Sequence, residues 1–341
     1  MPTTLKEVAK AVGVHPSVVS RILNNKADNY NISDKRKDEI RQAALDLGYV
    51  PNISARNIRK GNFGCVALLL SSDRGKSYLP IHLLESIHDE LDKNNKHLLM
   101  TKLPDAHSDD YAKVPKVLQT LMADGLLVDY THQVSEEIVL QIEKHTLPAV
   151  WIFVKHDKDS IYPDNRKAAK FAARKLINAG RKRIAYVAEM THFSDDMIDL
   201  HYSIADRYAG YEFEIKKAGL KPRKINNNGK LLAREKQVEY FTEILSKKNR
   251  PDAMMLYWSS LVVPIVQAAR KMNLRIPEDL SLITFASFLS QHSGLTIDAM
   301  VEPEIEIGAK AVCMLNKKIK NPGKSFSSQS VDFSYWQAGS V

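Results

Sequence analysis

Residues 3–23 read TTLKEVAKAVGVHPSVVSRIL, and this stretch decides the fold of the N-terminal part of the chain. Thr4 and Glu7 have the spacing of a capping box, in which each side chain bonds the backbone N–H of the other residue at a helix start. Gly13 supplies the left-handed turn that ends this helix, and Pro16 suits the first position of a second helix. Two short helices joined by a glycine turn indicate a helix-turn-helix, whose second helix fits the DNA major groove.

A third helix completes this N-terminal unit. Ser33 is its expected N-cap, and the helix is predicted to run to Leu47 and to stop at Gly48. His15 is the expected cap of the second helix. Three helices around one apolar centre can fold as a small unit. The sequence therefore predicts an all-α DNA-binding headpiece over residues 1–48.

The headpiece resembles that of the LacI family of bacterial repressors. The resemblance rests on TLKEVAKAVGV, on SVVSRILN, on IS at 32–33 and on LGYVPN followed by AR, and it covers residues 3–60 nearly continuously. One departure is a longer link between the second and third helices, Asn25–Ile32, which we interpret as a loop. In this family the start of the second helix reads base edges, which implies that role here for His15, Pro16, Ser17 and Val18, with Arg21 further along.

Base readout is expected to depend on a few of these side chains. Pro16 has no hydrogen-bonding side chain, so direct readout is assigned to His15, Ser17 and Arg21, of which the arginine can pair bidentately with guanine. For Ser20 and Asn24 two roles stay open: contact with a base, or helix capping and phosphate positioning. The resemblance adds further DNA-contacting residues: Thr4, Tyr49, Asn52, Ala55, Arg56, Ile58 and Arg59.

Residues 49–62 are predicted to form a hinge. Asn52–Lys60 allow only about two turns of helix, which is too short to be stable alone in water. The resemblance implies a hinge helix that orders on operator DNA, where the small Ala55 allows close approach to the hinge helix of a second subunit. Ile58 stands where the family has a leucine that wedges into the minor groove and kinks the duplex.

Positive charge is concentrated in the same region. Residues 1–62 hold eleven Lys and Arg against six Asp and Glu, so +5 of the formal net charge of +9 lies in less than a fifth of the chain. A phosphate backbone attracts such a segment through counterion release. The charge therefore supports binding to nucleic acid.

From Gly64 onward, strand and helix patterns alternate. Apolar strands that alternate with helices indicate an α/β fold with parallel, doubly wound sheets. The strands are too many for one such sheet and the pattern restarts after Asp164, so we predict two lobes with a ligand cleft between them. The predicted strands are Cys65–Leu70, His97–Thr101, Gly125–Asp129, Ala149–Phe153, Arg183–Val187, Ala253–Tyr257 and Leu280–Phe285. The predicted helices are Leu83–Leu91, Ala168–Ala179, Arg207–Ala218, Val238–Lys247 and Val262–Met272.

This body also resembles the LacI-family core, which is similar to periplasmic sugar-binding proteins. The resemblance rests on ADGLL at 123–127, AGRKRIAYV at 179–187 and RYAGY at 207–211, among others. It implies that the core N-lobe consists of residues 63–163 together with a second segment at about 292–321. The core C-lobe would consist of residues 164–291 together with a second segment at about 322–341.

The resemblance further implies an effector cleft. Its expected contact residues are Asp164, His201, Ser203, Arg207, Trp258 and Ala286. In the family the arginine clamps the ligand, and a guanidinium fork suits hydroxyls or carboxylates. Two positions depart from the family, since Trp258-Ser259 replaces Asn-Asp and Ala286 replaces Asp, and those polar groups normally fix sugar hydroxyls. The departures leave two alternatives open, an unusual ligand stacked on Trp258 or a repressor that needs no effector, and Trp258 is equally open to a core role.

Composition and motifs exclude other classes. No apolar run is long enough for a membrane helix, and the N-terminus lacks the pattern of a secretory signal. Cys65 and Cys313 fit a reducing compartment and build neither a disulfide framework nor a multi-cysteine metal site. The histidines lack metal-ligand spacing, and the motifs GxGxxG, Walker A, GxSxG and HExxH are missing. We expect a cytoplasmic protein without membrane association that is not an enzyme, with no catalytic residues, cofactor or metal.

The expected function is regulation of transcription, most simply repression. A homodimer is expected to place two headpieces on a pseudo-palindromic operator and to kink its centre with paired hinge helices. A carbohydrate-like effector in the cleft would shift the lobes, a coupling typically worth about 1–3 kcal/mol, and whether it acts as inducer or corepressor is open. No leucine heptad follows Val331, which favours a dimer without a tetramerising coil. A periplasmic binding protein would share the body but not the helix-turn-helix.

Replacing Ile58 by glycine tests the wedge. We expect Ile58→Gly to weaken operator binding by about tenfold or more, because the inserted apolar side chain is lost, while thermal unfolding of the body is unchanged. A fluorescence-anisotropy titration with operator DNA measures the affinity, and Asn57→Gly controls for the backbone freedom that glycine adds. Equal operator affinity of Ile58→Gly and the wild type would remove the wedge.

Overall fold

The computed structural model describes residues 3–23, 32–49, 62–71, 77–103, 123–131, 139–140, 142, 147–188, 201–226, 233–287 and 296–341. The chain divides into two compact units, Met1–Phe63 and Gly64–Val341. The roles assigned to some predicted DNA-contacting residues stay predictions, because these residues lie outside the described ones: Asn24, Asn52, Ala55, Arg56, Ile58 and Arg59.

The first unit contains the predicted helices, α1 (Leu5–Ala11), α2 (Pro16–Leu23) and α3 (Asp34–Asp46). The helix-turn-helix is therefore confirmed. One apolar centre joins the three helices, and its buried side chains are Val8, Ala9, Val19, Ile22, Ile40 and Ala44.

Local signals place the ends of these helices. The Thr4 hydroxyl accepts from the N–H of Glu7, and the Glu7 carboxylate accepts from the N–H of Thr4 at 2.6 Å, so the capping box is complete. Ser33 caps α3 by accepting from the N–H of Arg36. Gly13 follows α1 with φ of 62°, in the left-handed region that a side chain disfavours.

The second unit begins with a six-stranded parallel sheet that forms the N-lobe. Its strands are β1 (Cys65–Ser71), β2 (His97–Leu103), β3 (Gly125–Asp129), β4 (Ala149–Ile152), β5 (Ser160–Pro163) and β11 (Gln329–Val331), in the order β11-β5-β4-β3-β1-β2. The helices α4 (Ile81–Asp92) and α9 (Glu304–Lys320) pack against each other, and α9 also covers β3, β4 and β5.

A second six-stranded sheet forms the C-lobe. Its strands are β6 (Ile184–Ala188), β7 (Arg223–Asn226), β8 (Ala253–Leu256), β9 (Ser281–Ala286), β10 (Asp298–Val301) and β12 (Ser334–Trp336), in the order β12-β10-β9-β8-β6-β7. The pairing is parallel except at β12. The helices α5 (Asn165–Asn178) and α6 (Tyr202–Lys217) pack together, as do α7 (Arg234–Ser246) and α8 (Val262–Lys271), with a 3₁₀ turn at Ser259–Leu261 before α8. Two doubly wound lobes are thus confirmed, and the predicted strands and helices are present with ends shifted by at most five residues.

The chain passes between the lobes at three points in the described residues. The first passage is at Asp164, between β5 and α5. The second is at Glu302-Pro303 and the third at Asp332-Phe333, both about ten residues later than the predicted 292 and 322. The later positions follow from strand pairing, because β10 extends the C-lobe sheet beside β9 and β11 extends the N-lobe sheet beside β5.

The contact between α5 and α6 is unusually close at Gly210. A Cβ atom built on Gly210 would lie 2.5 Å from the carbonyl oxygen of Arg166 and 2.7 Å from Cβ of Ala169. Neither obstacle is the end of a flexible side chain, so the helices would have to move apart. Gly210 lies one turn after Arg207, and its packing therefore sets the position of that side chain.

Gly210→Ala tests this close packing. We expect a loss of about 1–3 kcal/mol in the free energy of unfolding, because overpacking forces backbone shifts, measured by urea titration. Lys217→Ala, at an exposed position of the same helix, is the control and should change stability by no more than about 0.5 kcal/mol. A Gly210→Ala protein as stable as the wild type would contradict the close contact.

Candidate functional site

The start of α2 carries the predicted base-reading residues. Nδ1 of His15 accepts from the N–H of Ser17 at 3.3 Å, and the Ser17 hydroxyl lies 2.8 Å from the same nitrogen. The predicted helix cap at His15 is therefore present. Because Nδ1 accepts from a backbone N–H, the proton of the neutral ring is on Nε2. His15 is exposed, so the structure leaves an N–H donor on the outer side of the helix start.

The other predicted residues of the headpiece have different surroundings. Pro16 is the first residue of α2, and Val18 packs against the buried centre of the headpiece. Ser20 and Arg21 are half-buried on α2. Outside α2, Thr4 caps α1 and Tyr49 packs against the same buried centre. The structure thus brings His15, Pro16 and Ser17 together at one helix end, and their contacts with DNA stay predictions.

In the second unit, the carboxyl ends of the strands of both lobes meet at a cleft. Several contacts join the two sides. The rings of Tyr78 and Trp258 meet edge to face with centroids 5.8 Å apart, and Nε2 of His201 lies 2.8 Å from the carbonyl oxygen of Phe153. Nζ of Lys155 also donates to Asp206 at 2.9 Å. Side chains of the protein itself therefore bridge the cleft.

Arg207 is the centre of the C-lobe side of the cleft. Its side chain is 2% exposed. Nε donates to Asn165 Oδ1 at 2.7 Å, Nη1 donates to the carbonyl oxygen of Tyr257 at 2.7 Å, and Nη2 donates to Glu302 Oε1 at 2.8 Å. The guanidinium also stacks 4.1 Å from the ring centroid of Phe285. Each nitrogen of Arg207 therefore already bonds to a protein atom, and its predicted contact with a ligand stays a prediction.

Two of the other predicted effector residues act as helix caps. Asp164 caps α5 by accepting from the N–H of Lys167 at 2.9 Å. His201 caps α6 through Nδ1, which accepts from the N–H of Ser203 at 3.4 Å. The Ser203 hydroxyl in turn lies 3.0 Å from the hydroxyl of Tyr257. His201 and Ser203 are thus brought into the neighbourhood of Arg207, whereas the carboxylate of Asp164 bonds its own helix.

The two departures from the family pattern lie at strand ends in this cleft. Trp258 follows β8, is half-buried and stands 5.5 Å from the Arg207 guanidinium. Ala286 is the last residue of β9, is 3% exposed and accepts at its carbonyl oxygen from the N–H of Glu302. Trp258 therefore belongs to the wall of the cleft, and Ala286 contributes only backbone.

Three cleft carboxylates were not singled out from the sequence. Asp129 ends β3 and is fully buried, and its Oδ1 accepts from the N–H of Tyr78 at 3.4 Å. Glu304 accepts from the hydroxyls of Tyr78 at 3.3 Å and Ser287 at 2.5 Å. Glu302 pairs with Arg207 through Oε1. Among the described residues, Asp129 Oδ2 and Glu302 Oε2 have no hydrogen-bond partner. The available signal was position, because Asp129 ends a predicted strand where parallel sheets bind ligands.

Burial dominates the ionisation of these groups. It raises the pKa of the Asp129 carboxyl well above its ordinary range. It also raises the pKa of Glu302 to about 7, although the neighbouring Arg207 favours the charged form. The pKa of Tyr78 rises as well, first through burial and then through the nearby charge of Glu302. The cleft therefore holds carboxyl groups whose charged forms are costly.

Comparison with known proteins covers both units. Residues 4–52 match the family described as bacterial regulatory proteins, lacI family, and residues 173–332 match the periplasmic binding protein-like domain. The ribose operon repressor of Haemophilus influenzae is 25% identical over 336 residues, which cover 95% of this chain and 94% of that protein.

Solved structures share the fold over the whole chain. The lac repressor dimer bound to operator and the anti-inducer ONPF aligns with a TM-score of 0.76 at 17% identity, covering 100% of this chain and 99% of that one. The complex of the transcriptional regulator CelR with cellobiose aligns with a TM-score of 0.62 at 18% identity, covering 99% and 100%.

The fold and these matches define a DNA-binding transcriptional regulator with a periplasmic-binding-protein-like core. Relatives along nearly the whole chain are named as repressors and regulators of transcription rather than as enzymes. The helix-turn-helix unit matches the LacI family of bacterial regulatory proteins, and the chain is similar to LacI-type regulators over nearly its whole length. Of the helices in the described part of the chain, none is long and apolar enough to cross a membrane.

Glu302→Gln tests the cost of ionising this buried carboxyl. Because the pKa of Glu302 rises from 4.5 to about 7 on folding, its effect on stability is most favourable below pH 4.5 and is lost as the pH rises through 7. At each pH we compare the free energy of unfolding of Glu302→Gln with that of the wild type. We expect this difference, variant minus wild type, to be about 1–3 kcal/mol larger at pH 8 than at pH 5. Urea titrations at both pH values measure this difference.

The exposed position Glu306 on α9 provides the control for this measurement. Glu306→Gln removes one negative charge without touching the cleft, and it should stay within about 0.5 kcal/mol of the wild type at both pH values. A Glu302→Gln protein that gains no relative stability at pH 8 would contradict the raised pKa of Glu302.

Proposed function

We propose that this protein is a cytoplasmic repressor that binds a pseudo-palindromic operator as a homodimer and responds to a small effector in the cleft between its lobes. The observation that carries the proposal is the exposed start of α2, where His15 presents an N–H donor on a basic helix-turn-helix unit. Two relatives support it, since one is a ribose operon repressor and another is a lac repressor dimer bound to operator.

The reading of DNA follows from the tautomer of His15. Its Nδ1 serves the backbone of α2, so only Nε2–H can face a base edge. In the major groove, N7 of a purine and O6 of guanine are acceptors for such a donor. Ser17 holds the ring through its hydroxyl and N–H, and Arg21 supplies the second candidate for base contact. Two copies of α2 related by a two-fold axis would read two half-sites about one helical turn apart.

The hinge carries the second part of the proposal. Residues 49–62 would order on the operator, with Asn52, Arg56 and Arg59 near the phosphates and Ile58 between base pairs. Ala55 would let the two hinge helices approach each other. An isologous dimer places both wedges at the operator centre, where one kink is shared.

The cleft carries the response to an effector. The direct contacts between the lobes, His201 to the Phe153 carbonyl and Lys155 to Asp206, would change when a ligand enters or leaves. The proposed ligand contacts are Asp164, His201, Ser203, Arg207, Trp258 and Ala286. Support for a carbohydrate-like effector comes from the CelR complex with cellobiose. A coupling of about 1–3 kcal/mol between cleft and hinge would suffice for regulation.

A repressor that needs no effector is the second candidate. The observation that favours it is the closure of the cleft by protein groups alone, since His201 lies 2.8 Å from the Phe153 carbonyl oxygen and Lys155 lies 2.9 Å from Asp206. Operator affinity that no small molecule changes would support this candidate.

Selection of binding sites from random duplex DNA tests the proposed function. We expect the full-length protein to enrich an inverted repeat, with affinity that falls steeply with salt because phosphate contacts release counterions. His15→Asn keeps a good helix cap but loses the imidazole donor. It should weaken operator binding by about 10- to 100-fold and relax the preference for a purine at one symmetric position of each half-site.

The exposed basic residue Lys35 provides the control. Lys35→Ala removes a positive charge from α3, and we expect the base preference to be unchanged because such charges carry no sequence information. If no inverted repeat is enriched, the proposed function is wrong. If His15→Asn selects the same bases as the wild type, only the role of His15 is lost.

A further inference from the structure

We propose that the effector carries a protonated amine, which Asp129 and Glu302 bind within a wall formed by Tyr78 and Trp258. The inference rests on the proposed function, because it names the chemical class of the ligand in the same cleft. The class is a small hydroxylated ring or chain with an ammonium group, as in an amino sugar.

The first step is the pair of unpartnered carboxylate oxygens. Asp129 is 0% exposed and the Glu302 side chain is 6% exposed, yet Oδ2 of Asp129 and Oε2 of Glu302 form no hydrogen bond with any described residue. A buried polar atom without a partner costs free energy, so native proteins rarely keep one. Two such acceptors at one cleft indicate that a ligand donates the hydrogen bonds that they lack.

The second step is the balance of charge. Asp129, Glu302 and Glu304 bring three carboxyl groups to the cleft, and of these three Arg207 pairs with Glu302 in the described residues. Each nitrogen of Arg207 already bonds to a protein atom, and Nζ of Lys155 is 2.9 Å from Asp206. A neutral hydroxyl would supply a hydrogen bond but would not compensate the charge of a buried carboxylate when it ionises. An ammonium group supplies both.

The third step is the aromatic wall. The ring of Tyr78 meets that of Phe153 at 5.3 Å and that of Trp258 at 5.8 Å between centroids, so three rings cluster next to Asp129. Aromatic faces attract cations. Arg207 already uses this property, since its guanidinium lies 4.1 Å from the centroid of Phe285. The cleft therefore suits an organic cation with an apolar face.

A metal ion fits these carboxylates less well. In the described residues, no three His, Cys, Asp or Glu side chains are close enough to hold a metal ion. Tyr78 lies between Asp129 and Glu304, since its N–H donates to the first carboxylate and its hydroxyl to the second. An extended ligand can reach acceptors that are separated in this way.

Matched pairs of sugars test the inference on the full-length protein. The probes are D-glucosamine, D-galactosamine and D-mannosamine, each compared with its parent hexose and with its N-acetyl derivative at pH 7. Ligand that binds the folded state raises the unfolding temperature by mass action. We expect at least one amine to raise it and to bind at least about tenfold more tightly in calorimetry than its neutral partners, because charge-assisted hydrogen bonds are the stronger ones.

Two variants separate ligand binding from structure. Asp129→Asn and Glu302→Gln should each weaken binding of the responding amine by about tenfold or more. Asp129→Asn should also raise the unfolding temperature of the ligand-free protein at pH 8, because this carboxylate, unlike that of Glu302, is buried without an ion-pair partner among the described residues. A purely structural role would lower that temperature. Glu214→Gln, which changes a buried acid on α6 outside the cleft, should leave amine binding unchanged.

The outcomes distinguish this inference from the proposed function. If a parent hexose binds and its amine does not, the amine inference is overturned while an effector-responsive regulator stands. If no amine binds, the inference is overturned as well, and selection of an operator decides independently whether the DNA-binding function stands. Tight amine binding that survives both acid substitutions would also overturn it.

Discussion

Arg207 and Glu302 form an ion pair inside the C-lobe, next to the point where the chain passes into the N-lobe. Nη2 and Oε1 are 2.8 Å apart, and the two side chains are 2% and 6% exposed. The same guanidinium bonds Asn165 at the start of α5 and the carbonyl oxygen of Tyr257 at the end of β8. One side chain thus ties together two of the passages between lobes and the end of a central strand. Removing either partner would leave a buried charge, which costs far more than the intact pair contributes.

That constraint shapes the chemistry of the cleft. Arg207, which the family resemblance assigns to ligand binding, is hydrogen-bonded to protein atoms. The cleft also contains the carboxyl groups of Asp129, Glu302 and Glu304. The polar groups lost at Trp258 and Ala286 are therefore not simply missing. In this chain carboxyl groups stand at the end of β3 and around the start of α9, and the Tyr78 ring lies beside them. A ligand that neutralises these acids would contact both lobes, which is what coupling to a hinge requires.

The same small device occurs at both proposed sites. At His15 and again at His201, a histidine precedes a helix and its Nδ1 accepts from the N–H two residues later, with a serine hydroxyl beside it. Capping through Nδ1 directs Nε2 away from the helix. In α6 that nitrogen reaches the Phe153 carbonyl across the cleft, and in α2 the equivalent nitrogen is exposed for the proposed contact with DNA.

The sequence by itself determined the headpiece, because its signals act over a few residues. The capping box at Thr4, the turn at Gly13 and the cap at Ser33 each join neighbours in the chain, and long apolar strands such as Gly125–Asp129 were equally clear. The strands β10 and β11 were not predicted, because what marks them as strands is their pairing with β9 and β5, which are distant in the chain. Glu302 and Glu304 were beyond the reach of sequence patterns for the same reason, whereas Asp129 stood at the end of a predicted strand. Glu302 meets Arg207 across 95 positions of the chain, and only the packing of the two sheets brings such distant groups within bonding distance and strips them of water.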